Sequence, residues 1–387
     1  MSSKLEALLP KFKAVHLKQL ASLCGDKTTG RKSDLVERLV ALSQAAKPKR
    51  PATKDSRLVL SIDLGIRNLG FSLISLAAPS KPLSPRTLTV DDLRRPPPVR
   101  LHRWQRRELL PPLEDGVEDP DRYSPASLAV ATDRLVRHDL LPLKPTHVLI
   151  ERQRWRSHGA AAVQEWTLRV NTLEAMLHAT FRTLKELGHW DGEMVPMAPN
   201  RVTRFWPPPP GLAVSEEAPK KKRSSRAAKE EKEEKEEEVE VEEEDEAVAE
   251  AVKGKTRKTT KSAKSSQNSK KLKIGVLTGW LAETGKSEII QPANGDMENA
   301  VAWVRSKLSR TGKGKRKSSS TTPDVGDLIR GTGSQKLDDL TDCLLQGVTW
   351  LKWEENKATL LREDAVMRLL EAKLLDQLED STLLDES

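Results

Sequence analysis

Apolar positions recur with two different periods along this chain. Residues 17 to 25 (LKQLASLCG) and 33 to 42 (SDLVERLVAL) place them three and four apart, which predicts two short amphipathic helices. The turn between them contains Thr29 and Gly30, and Ser33 is placed to cap the second helix. From residue 57 the pattern becomes that of strands. RLVLSID is a continuous apolar run closed by a carboxylate, and after a turn at Gly65 the stretch LGFSLISL predicts a second strand antiparallel to it. VRLHRWQRREL, residues 99 to 109, alternates and adds a third strand. Residues 126 to 141 have helical period, THVLIE (146 to 151) is a short buried strand ending in an acid, a helix follows over about 160 to 187, and EMVPMAP forms one more strand. Three hairpin strands, a helix, a strand, a helix and a strand predict an α/β fold, a mixed five-stranded sheet flanked by helices.

Composition divides the chain further. Residues 1–44 form a helical unit, followed by a linker over 45–56 rich in proline, lysine and small residues. The first part of the α/β core spans 57–206 and the second 272–387, the latter with a C-terminal helix over about 355 to 380. Between them, 207–271 opens on PPPP and passes through lysine clusters and an acidic block, with almost no large apolar side chain. Such a segment cannot bury enough surface to offset its ordering entropy and is expected to be a disordered, charged insertion. A long exposed helix is the competing reading of the acidic block.

The N-terminal unit resembles a SAP motif, a DNA-binding helix-turn-helix hairpin, through Leu17, Leu20, Cys24, Gly25, Gly30, Lys32, Leu35, Arg38 and Leu39. On that resemblance its basic turn, Lys27 through Lys32, touches phosphates rather than bases.

Charge narrows the class of partner. There are 66 Lys and Arg against 57 Asp and Glu, a net charge of +9 with a pI near 9.3, and much of the acid lies in one block. The remainder is strongly basic and suits a polyanion such as nucleic acid. Two cysteines, Cys24 and Cys343, exclude a disulfide framework or a cysteine zinc site and suit a reducing compartment. No apolar run approaches the roughly 20 residues of a membrane span, so a soluble protein without membrane contact is expected.

Three groups of acids stand where an apolar element begins or ends. Asp63 closes the first strand, Glu151 the fourth, and Asp338, Asp339 and Asp342 open a helix in KLDDLTDCLLQG, residues 336 to 347. Leu337, Leu340, Leu344, Val348 and Leu351 share one stripe of that helix. The acid sector continues as Leu345, Thr349 and Trp353, so the helix reads as buried with acids only at its start. Like charges about 4 Å apart repel by about 4 kcal/mol at an effective dielectric near 20. The helix N-terminus returns only about 0.3 to 1 kcal/mol per acid. A bound cation removes the conflict, and hard oxygen ligands select Mg²⁺ or Mn²⁺.

SIDLGIRNLGFS, HVLIERQRWRS and KLDDLTDCLLQG together resemble the three catalytic blocks of the fungal mitochondrial Holliday junction resolvases, a RuvC-like branch of the RNase H superfamily. The resemblance implies an RNase H-like fold and a Mg²⁺-dependent endonuclease with two ions per site. It implies Asp63 as the central ligand, Glu151 as the second, and Asp339 and Asp342 completing the site, with Asp338 a ligand or a supporting acid. It also implies a homodimer that makes paired symmetric nicks in four-way junction DNA, and a mitochondrial location.

Candidate DNA contacts are Arg67, Arg152, Gln153, Arg154, Arg156, Asn200, Arg201, Arg204 and Lys32, against a plain surface role. Trp155, Trp166, Phe205 and Trp206 are either wedges for unpaired bases or buried packing residues. RNA cleavage in RNA–DNA hybrids, a non-enzymatic DNA-architectural role and an actin-like ATPase are the competing functions. The last lacks a second glycine-rich phosphate loop.

Overall fold

The computed structural model describes residues 3–45, 57–77, 88–110, 119, 121–153, 165–206, 258–282, 289–310, 336–376 and 378. In chain order these form α1 (Ser3–Leu8), α2 (Ala14–Leu23), α3 (Lys32–Ala45), β1 (Val59–Asp63), β2 (Leu69–Leu76), α4 (Val90–Arg94) and β3 (Val99–Arg107). There follow α5 (Pro125–Arg134), β4 (His147–Glu151), α6 (Glu165–Glu186), β5 (Glu193–Met197) and α7 (Pro199–Phe205). The last group is α8 (Lys258–Ala282), β6 (Ile290–Pro292), α9 (Gly295–Arg310), α10 (Lys336–Leu360) and α11 (Glu363–Glu371).

The sheet runs in the order β5-β4-β1-β2-β3-β6. β1, β2 and β3 are antiparallel neighbours, while β4 pairs parallel with β1 and β5 parallel with β4. This is the RNase H-like arrangement expected from the strand and helix order. The sheet has six strands rather than five, because β6 pairs parallel with β3 over three residues. So short a strand ending in proline shows no alternation by which to predict it.

Strand alternation sends side chains to two separate cores. Leu60, Ile62, Val148 and Ile150 pack with α5 and α6 on one face. Val59, Ile74 and Leu149 face the other, where α10 lies with α7, α8, α9 and the N-terminal helices. Along β1, therefore, Val59, Ser61 and Asp63 share the α10 face, and along β4 so do His147, Leu149 and Glu151. His147 packs its ring 4.9 Å from that of Trp350 on α10.

From Cys343 to Trp353 α10 is buried around its whole circumference: Leu344, Leu345, Val348, Thr349 and Trp353 are all buried. Each large apolar side chain so enclosed contributes roughly 1.5–3 kcal/mol. Polar bonds fix its position. Gln346 Nε2 donates to Ser61 Oγ and to Ile62 O, both at 3.1 Å, Ser72 Oγ donates to Cys343 O at 3.1 Å, and Trp104 Nε1 to Leu340 O at 2.9 Å.

Several elements differ from expectation. The N-terminal hairpin has a preceding helix, α1, and α3 begins at Lys32, where Asp34 Oδ2 accepts from Arg31 N at 2.9 Å, so Ser33 is not the cap. Residues 258–271, expected in the insertion, are helical: α8 starts in a lysine-rich stretch whose sequence has no apolar stripe, and it buries Val276, Leu277, Trp280 and Leu281 in its last turns. The rest of the insertion, 207–257, and the linker lie outside the described residues. The C-terminal helix of 355 to 380 is broken at Leu361 and Arg362, which separate α10 from α11.

Candidate active site

Two adjacent parallel strands end together at the site. Ile62 pairs with Ile150, so the next residues, Asp63 and Glu151, leave the sheet side by side and toward α10. The Glu151 carboxyl lies against that of Asp63 as a hydrogen-bonding neighbour. Burial, then that bond, then the charges of Glu151, Asp342 and Asp339 hold the Asp63 carboxyl well above the usual carboxylate range.

The first turns of α10 supply the remaining acids, and a glycine lets them approach. Gly70 stands opposite Asp63 in the β1–β2 register. A Cβ there would lie 2.5 Å from Asp339 O, so only a bare backbone admits α10 at this depth. Burial raises Asp342, with Lys273 opposing and the Glu151 charge reinforcing. Burial likewise lifts Asp339 to about 6, with Arg106 opposing and the charges of Asp338 and Asp342 adding to the rise.

Each acid of the third block has its own cation. Lys273 Nζ donates to Asp342 Oδ2 at 2.9 Å, Lys270 Nζ to Asp338 Oδ2 at 2.9 Å, and Arg106 Nε lies 3.3 Å from Asp339 Oδ2. Burial works against the Lys273 ammonium, but Asp342, Glu151 and Asp63 outweigh it and raise its pKa. Lys273, Arg106 and the anchors Gln346 and Ser61 were not among the sequence candidates. The signal for Ser61 and Gln346 is a polar residue within an apolar stretch, LVLSI in β1 and CLLQGV in α10, whereas no spacing in the sequence points to Lys273 or Arg106.

Asp63, Glu151, Asp339 and Asp342 are thus brought together, while Asp338 turns to Lys270. Among the described residues no three such side chains are grouped closely enough to hold a metal ion, and Lys273 and Arg106 lie against two of the acids. The donors nevertheless suit a hard divalent cation. All are carboxylate oxygens, Asp342 Oδ1 is buried without a hydrogen-bond partner among the described residues, and the Asp63 carboxyl is raised by burial and by the acids around it, a conflict that positive charge relieves.

The proposed DNA contacts fare unevenly. Arg67, Arg152, Asn200, Arg204 and Lys32 are exposed, and Gln153 is half-buried with its backbone N–H bonded to Glu174 Oε2 at 2.9 Å. Arg201 is half-buried, and its Nη1 donates to Gly25 O at 2.8 Å, tying α7 to the N-terminal unit. Phe205 and Trp206 are not wedges but core, buried against Trp353 and Trp280, with Trp206 Nε1 donating to Thr349 Oγ1 at 2.8 Å. Trp166 is exposed. Arg154, Trp155 and Arg156 lie outside the described residues.

Fold and site together define an RNase H-like α/β protein whose acids gather at the C-terminal ends of two parallel strands. The family described as "Mitochondrial resolvase Ydc2 / RNA splicing MRS1" matches residues 59–360, and the chain belongs to it. The chain is 32% identical over 167 residues to the "Cruciform cutting endonuclease 1, mitochondrial" of Schizosaccharomyces pombe, covering 43% of this chain and 54% of that protein. It thus spans about half the length of this curated relative. A crystal structure of the "Yeast Mitochondrial Holliday Junction Resolvase, Ydc2" aligns over 89% of this chain and 95% of its own, at 20% identity and a TM-score of 0.46.

Proposed function

We propose that this chain is a mitochondrial, structure-selective endonuclease that resolves four-way DNA junctions as a homodimer, by paired symmetric nicks. The observation that carries the reading is the meeting of Asp63, Glu151, Asp339 and Asp342 at one sheet end within a basic protein. The family description also names RNA splicing. Binding RNA alone gains nothing from clustered acids, which repel phosphates, whereas metal-assisted hydrolysis of a phosphodiester uses such a cluster.

Asp63, Glu151 and Asp342 would hold Mg²⁺ or Mn²⁺, with Asp339 and Asp338 as further oxygen donors or supporting charge. When bound, one or two such ions supply charge that polarises the phosphodiester and activates water for attack. Asp63 and Glu151 present adjacent carboxyls from the ends of β1 and β4 on the same face of the sheet. Lys273 keeps Asp342 oriented toward the strand ends, and Arg106 does the same for Asp339. Two equivalent cuts need two equivalent sites related by a two-fold axis, which a homodimer supplies.

Incubating the protein with an end-labelled four-way junction, with Mg²⁺ or with chelator, tests the reading. Symmetric ligatable nicks are expected with Mg²⁺ alone, and Asp63→Asn should lower the rate by about 10³-fold or more while junction binding persists. Undiminished cutting by that variant would exclude the site, and preferential cleavage of an RNA–DNA hybrid would change the substrate.

A further inference from the structure

Beside the acid site lies a group of side chains that the nuclease chemistry does not use. Tyr123, just ahead of α5, and Trp166, in the first turn of α6, meet edge to face with ring centroids 5.6 Å apart and planes at 76°. Three guanidiniums surround them. Arg67 Cζ stands 5.5 Å from the Trp166 ring centroid, Arg169 Cζ 4.2 Å and Arg122 Cζ 5.8 Å from that of Tyr123. The Tyr123 hydroxyl accepts from Arg67 Nη2 at 3.0 Å and Nε at 3.2 Å. Burial alone would raise this phenol, but the bonds from Arg67 and Arg122 bring it below its usual range.

The cluster is fixed relative to the acids by a short chain of bonds. Arg106, 3.3 Å from Asp339, also donates through Nη2 to Arg67 O at 3.3 Å and to the Asn68 side chain. Arg67 lies four residues after Asp63 and ends on Tyr123. Yet the Trp166 side chain remains 40% exposed, and Leu168 in the same turn 43%. With Arg67 over its ring, the indole still leaves two-fifths of its surface open to solvent, and the surrounding arginines make that surface attractive to an anion.

We infer that Tyr123, Trp166 and the arginines 67, 122 and 169 form a platform for a nucleotide out of its stack, with a base on the Trp166 ring and its phosphate among the guanidiniums. The chemistry is that of sequence-tolerant single-strand recognition, where rings stack on bases and arginines neutralise the backbone. A duplex presents no free base face and gains only the charge. The inference builds on the junction reading, since a branch point is where paired DNA exposes such a base.

Equilibrium binding of the full-length protein in chelator, where cleavage is absent, tests it with a single-stranded oligothymidylate, a paired duplex and a four-way junction carrying 2-aminopurine at its branch. Trp166→Ala should weaken oligothymidylate and junction by about tenfold and the duplex by less than about twofold, the range of one base–aromatic stack. Trp166→Phe should restore most of the loss, which separates stacking from misfolding. Wild type should quench the 2-aminopurine, and Trp166→Ala should not. Equal weakening on all three nucleic acids, or none, overturns the platform. The oligothymidylate result stands apart from junction cutting, so a protein that binds it through Trp166 but cuts no junction keeps the platform and loses the resolvase reading.

Discussion

At the scale of single residues, the acids make the protein's stability depend on pH in a direction opposite to that of ordinary surface carboxylates. Burial lifts Asp339 from 3.8 to about 6. A carboxyl raised in the folded state favours its protonated form there, so its stabilisation is complete below about pH 4 and is lost as pH rises through about 6. At about 1.36 kcal/mol per unit the loss is at most about 3 kcal/mol, and solvent reaching this partly exposed carboxyl screens it to a fraction of that by neutral pH. Asp339→Asn, which fixes the neutral form, should therefore melt above wild type at pH 7 in chelator and close to it near pH 4. Thermal unfolding at both values checks this, and a variant that melts below wild type at pH 7 refutes it. Mg²⁺ should narrow the gap at pH 7 by stabilising wild type. The identity of these acids was legible because each interrupts an apolar run. Their partners were harder to find: Lys273 and Arg106 lie far from the acids in sequence, and no spacing links an arginine of β3 to an aspartate of α10.

At the scale of elements, the site depends on how closely α10 crosses β1 and β2. Strands β1 to β5 and the long helices α6 and α10 were legible because their periods are sustained or end in a charge. α9 was missed although Met297, Ala300, Val301 and Val304 form a buried stripe. It lies among glycine, serine and lysine-rich stretches that obscure its ends. α7 was read only as polar residues after a strand, and its seven residues bury Val202 and Phe205 while spending Arg201 on a backbone carbonyl. Gly70 is the most exacting position. A Cβ there meets the Asp339 carbonyl at 2.5 Å, a backbone atom that can retreat only if α10 moves. Gly70→Ala should cost about 1–3 kcal/mol as an overpacking change. Because the displaced atom belongs to Asp339, junction cleavage should fall further than stability, while affinity for junction in chelator holds. Parallel loss of all three would show that the helix tolerates no shift at all and that the site has no separate sensitivity.

At the scale of the whole molecule, the N-terminal unit is joined to the rest rather than tethered to it. Leu17, Leu20 and Cys24 belong to the same continuous core as Leu344 and Val348 of α10. Asn356 Nδ2 donates to Leu23 O at 2.8 Å and to Leu93 O at 3.1 Å, bridging that unit to α4 through α10. The linker composition pointed to a separate module, and the hairpin's own hydrophobic face says nothing of what covers it. Only the folded chain shows that α10 and α11 do. Gly25 is the hinge of this contact: its φ is +73°, and a Cβ would meet the Trp353 ring at 2.3 Å. Gly25→Ala combines a left-handed strain of roughly 1–2 kcal/mol with that clash. For a tethered hairpin the catalytic core would melt as before, with only duplex affinity reduced. For a joined one, the whole protein should unfold in one transition at a lower temperature, and the fluorescence of the buried tryptophans should report it together with far-ultraviolet dichroism. Two separate transitions in the variant would return the unit to the status of an independent module. A single lowered one ties the geometry of Lys32 and its neighbours to that of the acids, so that the two ends of the molecule move as one rigid body.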